Sequence, residues 1–337
     1  MKAMVLKEYN EPLVYCDYPE PNIKSEDDVI IRVIACGLCT TDLKVQEGIL
    51  DSEGLPRILG HEPAGVVVRV GSNVTNVKYG DTVISSTYMA CKTCEFCRQG
   101  RDTLCENLGG RLGITVDGGF AEYMRVKASC LIKIPDGVDP AQACVIPCGG
   151  GVPFHAMVRR VQVGPTDRVI ILGAGGIGIQ AVQMCKVCGA EVIAVDIDED
   201  KLDLAKERGA DHIINTRNPR YLEQLQALGG ATVLFDTVGL HSLLDNCSKA
   251  LKKGARIVMV AYGPNKQIQM DLADIVLNEF EVYGSRGVGI QDATEMMNLL
   301  AQGKISLEVQ KYPLRELNEV IEKLKNNELI GRAVLVP

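Results

Sequence analysis

Over residues 1–145 the apolar positions come in short runs, at 29–36, 64–70, 82–86 and 120–126, each bounded by Gly, Pro, Asn or Asp. Runs of that length between turn formers predict strands, and hence a mainly β first domain. From about residue 153 the rhythm changes. Apolar runs at 169–172, 192–196, 212–214, 232–235, 256–261 and 281–284 alternate with helix-like stretches at 177–188, 199–208, 221–228 and 242–251. Six strands joined by helical crossovers predict an α/β fold with a doubly wound parallel sheet. Beyond residue 285 lie two more helix-like runs and a last apolar run at 333–336. Because the sheet is complete before them, they are expected to return to the first domain. The predicted division is 1–149 with 285–337, and 150–284.

The first two runs of the second region enclose the sequence RVIILGAGGIG, in which Gly173, Gly175 and Gly178 have the GxGxxG spacing. A strand must turn sharply at Gly173, a pyrophosphate must approach bare backbone near Gly175, and the helix must pack closely on the sheet at Gly178. Gly176 and Ile177 complete the turn, and the helix that follows offers free N–H groups and the positive end of its dipole to phosphates. Glycines alone fall into such a register by chance; the flanking strand, helix and second strand make the motif specific for a dinucleotide. Eighteen residues after Gly178 the run EVIAVD ends in Asp196. A carboxylate there accepts hydrogen bonds from both ribose hydroxyls and repels a 2′-phosphate, so the expected cofactor is NAD rather than NADP.

Composition narrows the function by exclusion. The chain has 337 residues, a net charge of −7 and no basic cluster, which removes the electrostatic footprint of nucleic-acid binding. The longest apolar run, 169–179, is broken by the glycine turn and too short to span a bilayer, so no membrane partner is expected. The first ten residues carry Lys2, Lys7 and Glu8 and no apolar signal core, and thirteen cysteines without an export signal point to a reducing cytoplasm.

Clustered thiols in such a compartment bind metal more often than they pair. Cys91, Cys94, Cys97 and Cys105 form CxxCxxCx7C. Four thiolates close a tetrahedron and leave no open position, which predicts a structural zinc. The iron–sulfur alternative has three residues before its fourth cysteine and a proline after it, and neither occurs here. A second set is assembled from distant pieces: Cys39 in CGLCTTD, His61 in GHEPAG and Cys148 in IPCGGG. Two thiolates and one imidazole hold zinc with a fourth position open, and Asp42 can fix the second nitrogen of the ring. Thr41 is placed to take up a substrate's hydroxyl proton. The residues leave the choice of ligand open, because Cys36 and Cys39 form a CxxC and Cys144 and Cys148 lie one helical turn apart. Cys185 and Cys188, on the helix after the glycine turn, read as small buried apolar residues. His155, His212 and His241 have no partner pattern and read as structural.

The motifs CGLCTTD, LGHEPAGVVVRVG, CKTCEFCRQGRDTLC, DGGFAEY, PCGGGVPFHA, VIILGAGGIG, AVDIDEDK, FDTVG and GRAVL occur in this order along the chain. In that order they resemble the zinc-dependent medium-chain alcohol dehydrogenase family over essentially the whole length. The resemblance implies a GROES-like β domain beside the six-stranded Rossmann domain, with an active site between them and two zinc ions per chain. It assigns Cys39, His61 and Cys148 to the catalytic zinc, Cys91, Cys94, Cys97 and Cys105 to the structural one, and stands Glu62 behind the catalytic metal. Asp196 and Lys201 would hold the adenosine ribose and Arg332 the pyrophosphate. The implied reaction is reversible oxidation of a primary or secondary alcohol, with zinc as Lewis acid, Thr41 as proton relay and NAD as hydride acceptor. Relatives of this length imply a homo-oligomer, a tetramer or a dimer.

Three departures from the family pattern bear on substrate and relay. Lys44 replaces the relay histidine common two residues after Asp42, and Thr40 replaces a common arginine or histidine. Where many members read Cys-Ala-Gly-x-Thr, this chain reads Cys148, Gly149, Gly150, Gly151, Val152, which removes a hydroxyl and predicts a more mobile turn. The runner-up enzyme is a polyol or amino-alcohol dehydrogenase of the same superfamily. Those relatives often carry glutamate at the position of Cys148, so cysteine favours alcohols. Outside enzymes, the alternative is a non-catalytic NAD-binding redox sensor, suggested by the seven cysteines beyond the two ligand sets.

Overall fold

The computed structural model describes residues 1–50, 54–263 and 267–337, and the chain forms two compact units, Met1–Gly151 with Gly287–Pro337, and Val152–Arg286. Among the described residues no helix is long and apolar enough to cross a membrane.

In the second unit six parallel strands lie in the order His212–Asn215, Glu191–Asp196, Arg168–Leu172, Ala231–Asp236, Leu251–Met259, Glu281–Gly284. That is the doubly wound order in which the chain reverses direction beside its first strand. The alternation of apolar side chains explains why this strand is buried on both faces. Val169 and Ile171 pack into one core with Val182 and Leu202, while Ile170 and Leu172 pack into the opposite one with Leu225 and Leu244. The fifth strand starts at Leu251, five residues before the apolar run that predicts it. Leu251 pairs with Ala231, and the register then shifts before Val233 meets Arg256. Lys252, Lys253 and Gly254 in that irregular stretch are exposed, so no apolar pattern marks it.

In the first unit a long strand, Asp28–Gly37, is the centre of a seven-stranded sheet. It pairs antiparallel with Glu62–Val70, with Tyr123–Lys127 and with the chain's last strand, Arg332–Val336. The tail also supplies a strand that the apolar pattern does not announce, Val309–Pro313, parallel to the last one and largely exposed. The register matters for function: Gly37 faces Glu62 on one side and Val334 on the other. The end of the long strand, the start of its neighbour and the start of the last strand therefore meet at one edge of the sheet.

Candidate metal centres and dinucleotide turn

The sheet edge delivers two of the predicted ligands directly. Cys39 stands two residues beyond Asp28–Gly37, and His61 one residue before Glu62–Val70. Cys39 is also the N-cap of the helix Thr40–Gln46, with Asp42 in its first turn. Asp42 is 1 % exposed, and its carboxylate organises both ligands. Oδ2 accepts the backbone N–H of Cys39 at 2.9 Å, while Oδ1 accepts that of Gly60 at 3.2 Å and lies 3.1 Å from His61 Nδ1. A carboxylate on Nδ1 fixes the tautomer that leaves the Nε2 lone pair free. That Nε2 is buried without a hydrogen-bond partner. Burying an imidazole nitrogen unpaired is costly unless something else binds it.

Cys148 arrives from a π-helical turn, Ile146–Gly150, and its sulfur lies 3.8 Å from that of Cys39. One ligand atom each from Cys39, His61, Glu62 and Cys148 all lie within 4.8 Å of one another. The electrostatics suit a cation. The hydrogen bond from Cys148 lowers the Cys39 thiol well below the usual range, and the same bond raises Cys148 well above it. A metal bound between the two sulfurs would take the place of that hydrogen bond. Burial opposes charge on His61, yet Asp42 and Cys39 raise its pKa well above the ordinary value. Burial likewise raises Glu62, against the pull of Arg332. Glu62 is fully buried, with Oε1 held by Arg332 Nη2 and Oε2 unpartnered. The donor set, two sulfurs with an orphaned imidazole nitrogen, fits zinc with an exchangeable fourth position.

Cys36 and Cys144, the alternatives to Cys39 and Cys148, are fully buried, and burial raises both thiols. Neither lies in the cluster. Thr41 and Lys44 sit half-buried on the Thr40–Gln46 helix, three residues apart and so on neighbouring turns. Replacing Asp42 by Asn removes the charge that holds the imidazole. It is expected to weaken metal binding by about tenfold, as loss of an outer-shell carboxylate does; competition with a chromogenic chelator measures it.

The second centre is local. The four sulfurs of Cys91, Cys94, Cys97 and Cys105 also lie within 4.8 Å of one another. Cys91 Sγ and Cys97 Sγ are 3.9 Å apart, as are those of Cys94 and Cys105. Cys91 Sγ accepts from the hydroxyl of Thr93 at 3.5 Å and from the N–H groups of Thr93 and Cys94 at 3.4 and 3.3 Å, which hold its thiol at about 5. Burial and the neighbouring thiols push Cys97 up to about 12. Backbone N–H groups aimed at sulfur stabilise thiolates, which suits this loop to hold a metal ion.

The glycine turn follows the predicted division of labour. Gly173 has φ +90°, and a Cβ there would stand 2.5 Å from Thr237 Oγ1. Gly175 has nothing within 4 Å of where its Cβ would be, so its backbone lies open. At Gly178 a Cβ would stand 1.8 Å from the carbonyl oxygen of Gly173. Gly178→Ala must therefore open the turn, and we expect a loss at the upper end of the roughly 1–3 kcal/mol that overpacking costs, read from urea denaturation. The helix Gly178–Val187 starts here with Ile177 as its N-cap. Asp196 accepts from Ala174 N at 2.6 Å, Ile197 N at 2.7 Å and Asp198 N at 3.1 Å, which seats its carboxylate beside the turn. Lys201 lies one turn into the next helix, Glu199–Glu207. Arg332, which the resemblance gives to the pyrophosphate, is 8 % exposed and engaged by Glu62. Cys185 is buried, as expected of a small apolar residue, whereas Cys188 at the end of the helix is only half-buried, and His212 pairs with Glu191 at 3.1 Å.

Known proteins resemble the chain along its full length. Residues 25–136 match the alcohol dehydrogenase GroES-like domain and residues 176–302 the zinc-binding dehydrogenase domain. An alcohol dehydrogenase of Geobacillus stearothermophilus is 35 % identical over 338 residues, covering 99 % of each chain. The crystal structure of the alcohol dehydrogenase of the hyperthermophilic archaeon Aeropyrum pernix is 35 % identical, with a TM-score of 0.89 and complete coverage of both chains. The thermostable alcohol dehydrogenase of Pyrobaculum aerophilum, solved with cobalt and zinc bound, is 29 % identical, with a TM-score of 0.89 over 100 % of this chain and 99 % of that one. Fold order, the two cysteine sets and this similarity agree, and the chain belongs to the zinc-dependent medium-chain alcohol dehydrogenase family.

Proposed function

We propose that the protein is an NAD-dependent alcohol dehydrogenase that oxidises a small primary or secondary alcohol to its aldehyde or ketone, reversibly. The observation that carries this reading is the convergence of Cys39 Sγ, Cys148 Sγ and the orphaned His61 Nε2. Zinc held there supplies a Lewis acid that makes an alcohol proton easier to lose. Four-sulfur coordination at Cys91, Cys94, Cys97 and Cys105 would bring the zinc count to two per chain. Asp42 keeps the imidazole in its ligating tautomer. Arg332, bonded to the buried Glu62, positions that carboxyl behind the ligand set. Thr41 accepts the hydrogen bond of the substrate hydroxyl and relays its proton toward Lys44 or water. The Gly173, Gly175, Gly176, Ile177 and Gly178 turn would hold NAD, with Asp196 and Lys201 toward its ribose, and the bound nicotinamide would supply the acceptor for a hydride from the hydroxyl-bearing carbon.

A panel of primary and secondary alcohols, polyols and aldehydes, followed by NADH absorbance, tests the assignment. Turnover of simple alcohols with NAD supports it; turnover confined to polyols moves the chain to the neighbouring branch, and none with any substrate refutes it.

A further inference from the structure

The turn that carries Cys148 is pressed against one helix of the same unit, Ile290–Ala301. A Cβ at Gly150 would stand 3.2 Å from Met296 Cε, and one at Gly151 would stand 2.7 Å from Val288 Cγ1, two residues before the helix starts. None of Gly149, Gly150 and Gly151 has a positive φ. These glycines are there for close approach, and the mobile turn expected from their sequence is instead a packed one. The position of Cys148 is thereby tied to the position of the helix.

The helix buries Ala293, Met296, Met297 and Leu300, and the cysteine lobe meets its start. The helix N-cap is Gly289, which has no side chain to cap it. Its first N–H, that of Ile290, is instead donated at 3.2 Å to Oδ2 of Asp102, which lies between Cys97 and Cys105. Asp102 is 4 % exposed, and the same oxygen is 2.7 Å from Lys92 Nζ, also in the lobe. The contact is tight on both sides: a Cβ at Gly289 would stand 3.2 Å from the carbonyl of Gly100, and one at Gly287 would stand 2.6 Å from the hydroxyl of Tyr88. A buried carboxylate on a helix N-terminus is a charge-assisted bond aligned with the helix dipole.

We propose that Asp102 is a positioning residue for the catalytic metal ligand Cys148, acting from the structural lobe through the Ile290–Ala301 helix. The proposal rests on the assignment of Cys39, His61 and Cys148 to a catalytic metal. It gives the four-cysteine lobe a role beyond stability, because the lobe holds the residue that fixes the helix on which the Cys148 turn packs.

The test follows cobalt-substituted protein, reading the thiolate-to-cobalt absorption of the Cys39–Cys148 site and its rate of metal loss to a chelator. Ile290→Pro deletes the donor N–H while leaving the lobe intact, since proline suits the first position of a helix; Ile290→Ala controls for the side chain. Asp102→Ala removes the acceptor, and Asp102→Asn keeps an oxygen for the same N–H. We expect Ile290→Pro and Asp102→Ala to speed metal loss from the catalytic site by about tenfold and alter its absorption. Ile290→Ala and Asp102→Asn should stay within about twofold of wild type, with the lobe metal retained in Ile290→Pro. Wild-type rates and spectra in Ile290→Pro overturn the proposal, even if Asp102→Ala is impaired, since the effect would then lie inside the lobe. If wild-type cobalt protein has no absorption that Cys148→Ser weakens, the metal assignment itself fails and the proposal with it.

Discussion

Cys148→Ser protein will bind NAD as the wild type does but turn over alcohol more slowly by more than the roughly 100-fold that loss of an outer-shell group costs a metal site. A serine hydroxyl fills the place of the thiol yet stays protonated where a thiol gives up its proton, so one of two anionic ligands is lost. Two sulfurs 3.8 Å apart share the work of neutralising the metal, and removing one leaves a weaker site with an uncompensated buried charge. NAD binding should survive, because the glycine turn and Asp196 belong to the Val152–Arg286 unit. Steady-state rates together with NADH fluorescence titration separate the two effects. Wild-type turnover in this variant would sink the ligand assignment.

Asp196→Gly will shift the ratio of kcat/KM for NAD over NADP by at least about 100-fold toward NADP. Two contributions act in the same direction. An ionised acceptor on the ribose hydroxyls contributes about 1.5–3 kcal/mol, which NAD loses. Juxtaposing a carboxylate with a 2′-phosphate costs several kcal/mol, which NADP regains. The carboxylate also accepts from Ala174, Ile197 and Asp198, so glycine loosens the turn itself and both cofactors should bind less tightly in absolute terms. Asp196→Asn keeps oxygen for part of that network and removes the charge, so it should show the gain for NADP with less overall loss. Equal kinetic constants for both cofactors in wild type and both variants would contradict the ribose role.

What the sequence reveals depends on how far apart the cooperating residues lie. The glycine turn and its acid are legible because strand, turn, helix and strand follow one another within thirty residues, and each glycine answers a separate steric demand. The four-cysteine lobe is legible for the same reason. The other cluster is not, since Cys39 and Cys148 stand 109 residues apart and each has a cysteine neighbour at helical or CxxC spacing. The strand register, with Gly37 opposite Glu62, brings that edge together and buries Cys36, while Cys144 is buried at the end of the short helix Pro140–Ala143. The three glycines after Cys148 show the opposite failure. Glycine suggests freedom when read along the chain, but here Arg332, Met296 and Val288 occupy the space that side chains would take. Nor does any local pattern tell that Asp102 caps a helix 188 residues away.

Cys39, His61 and Cys148 are proposed to hold a zinc separate from that of the four-cysteine lobe. Counting zinc per chain by mass spectrometry, in wild type and in Cys148→Ser after the same exhaustive dialysis, tests it most directly. Two ions are expected in the wild type and one in the variant; a single ion in the wild type, or two in both, would contradict a separate site at Cys39, His61 and Cys148.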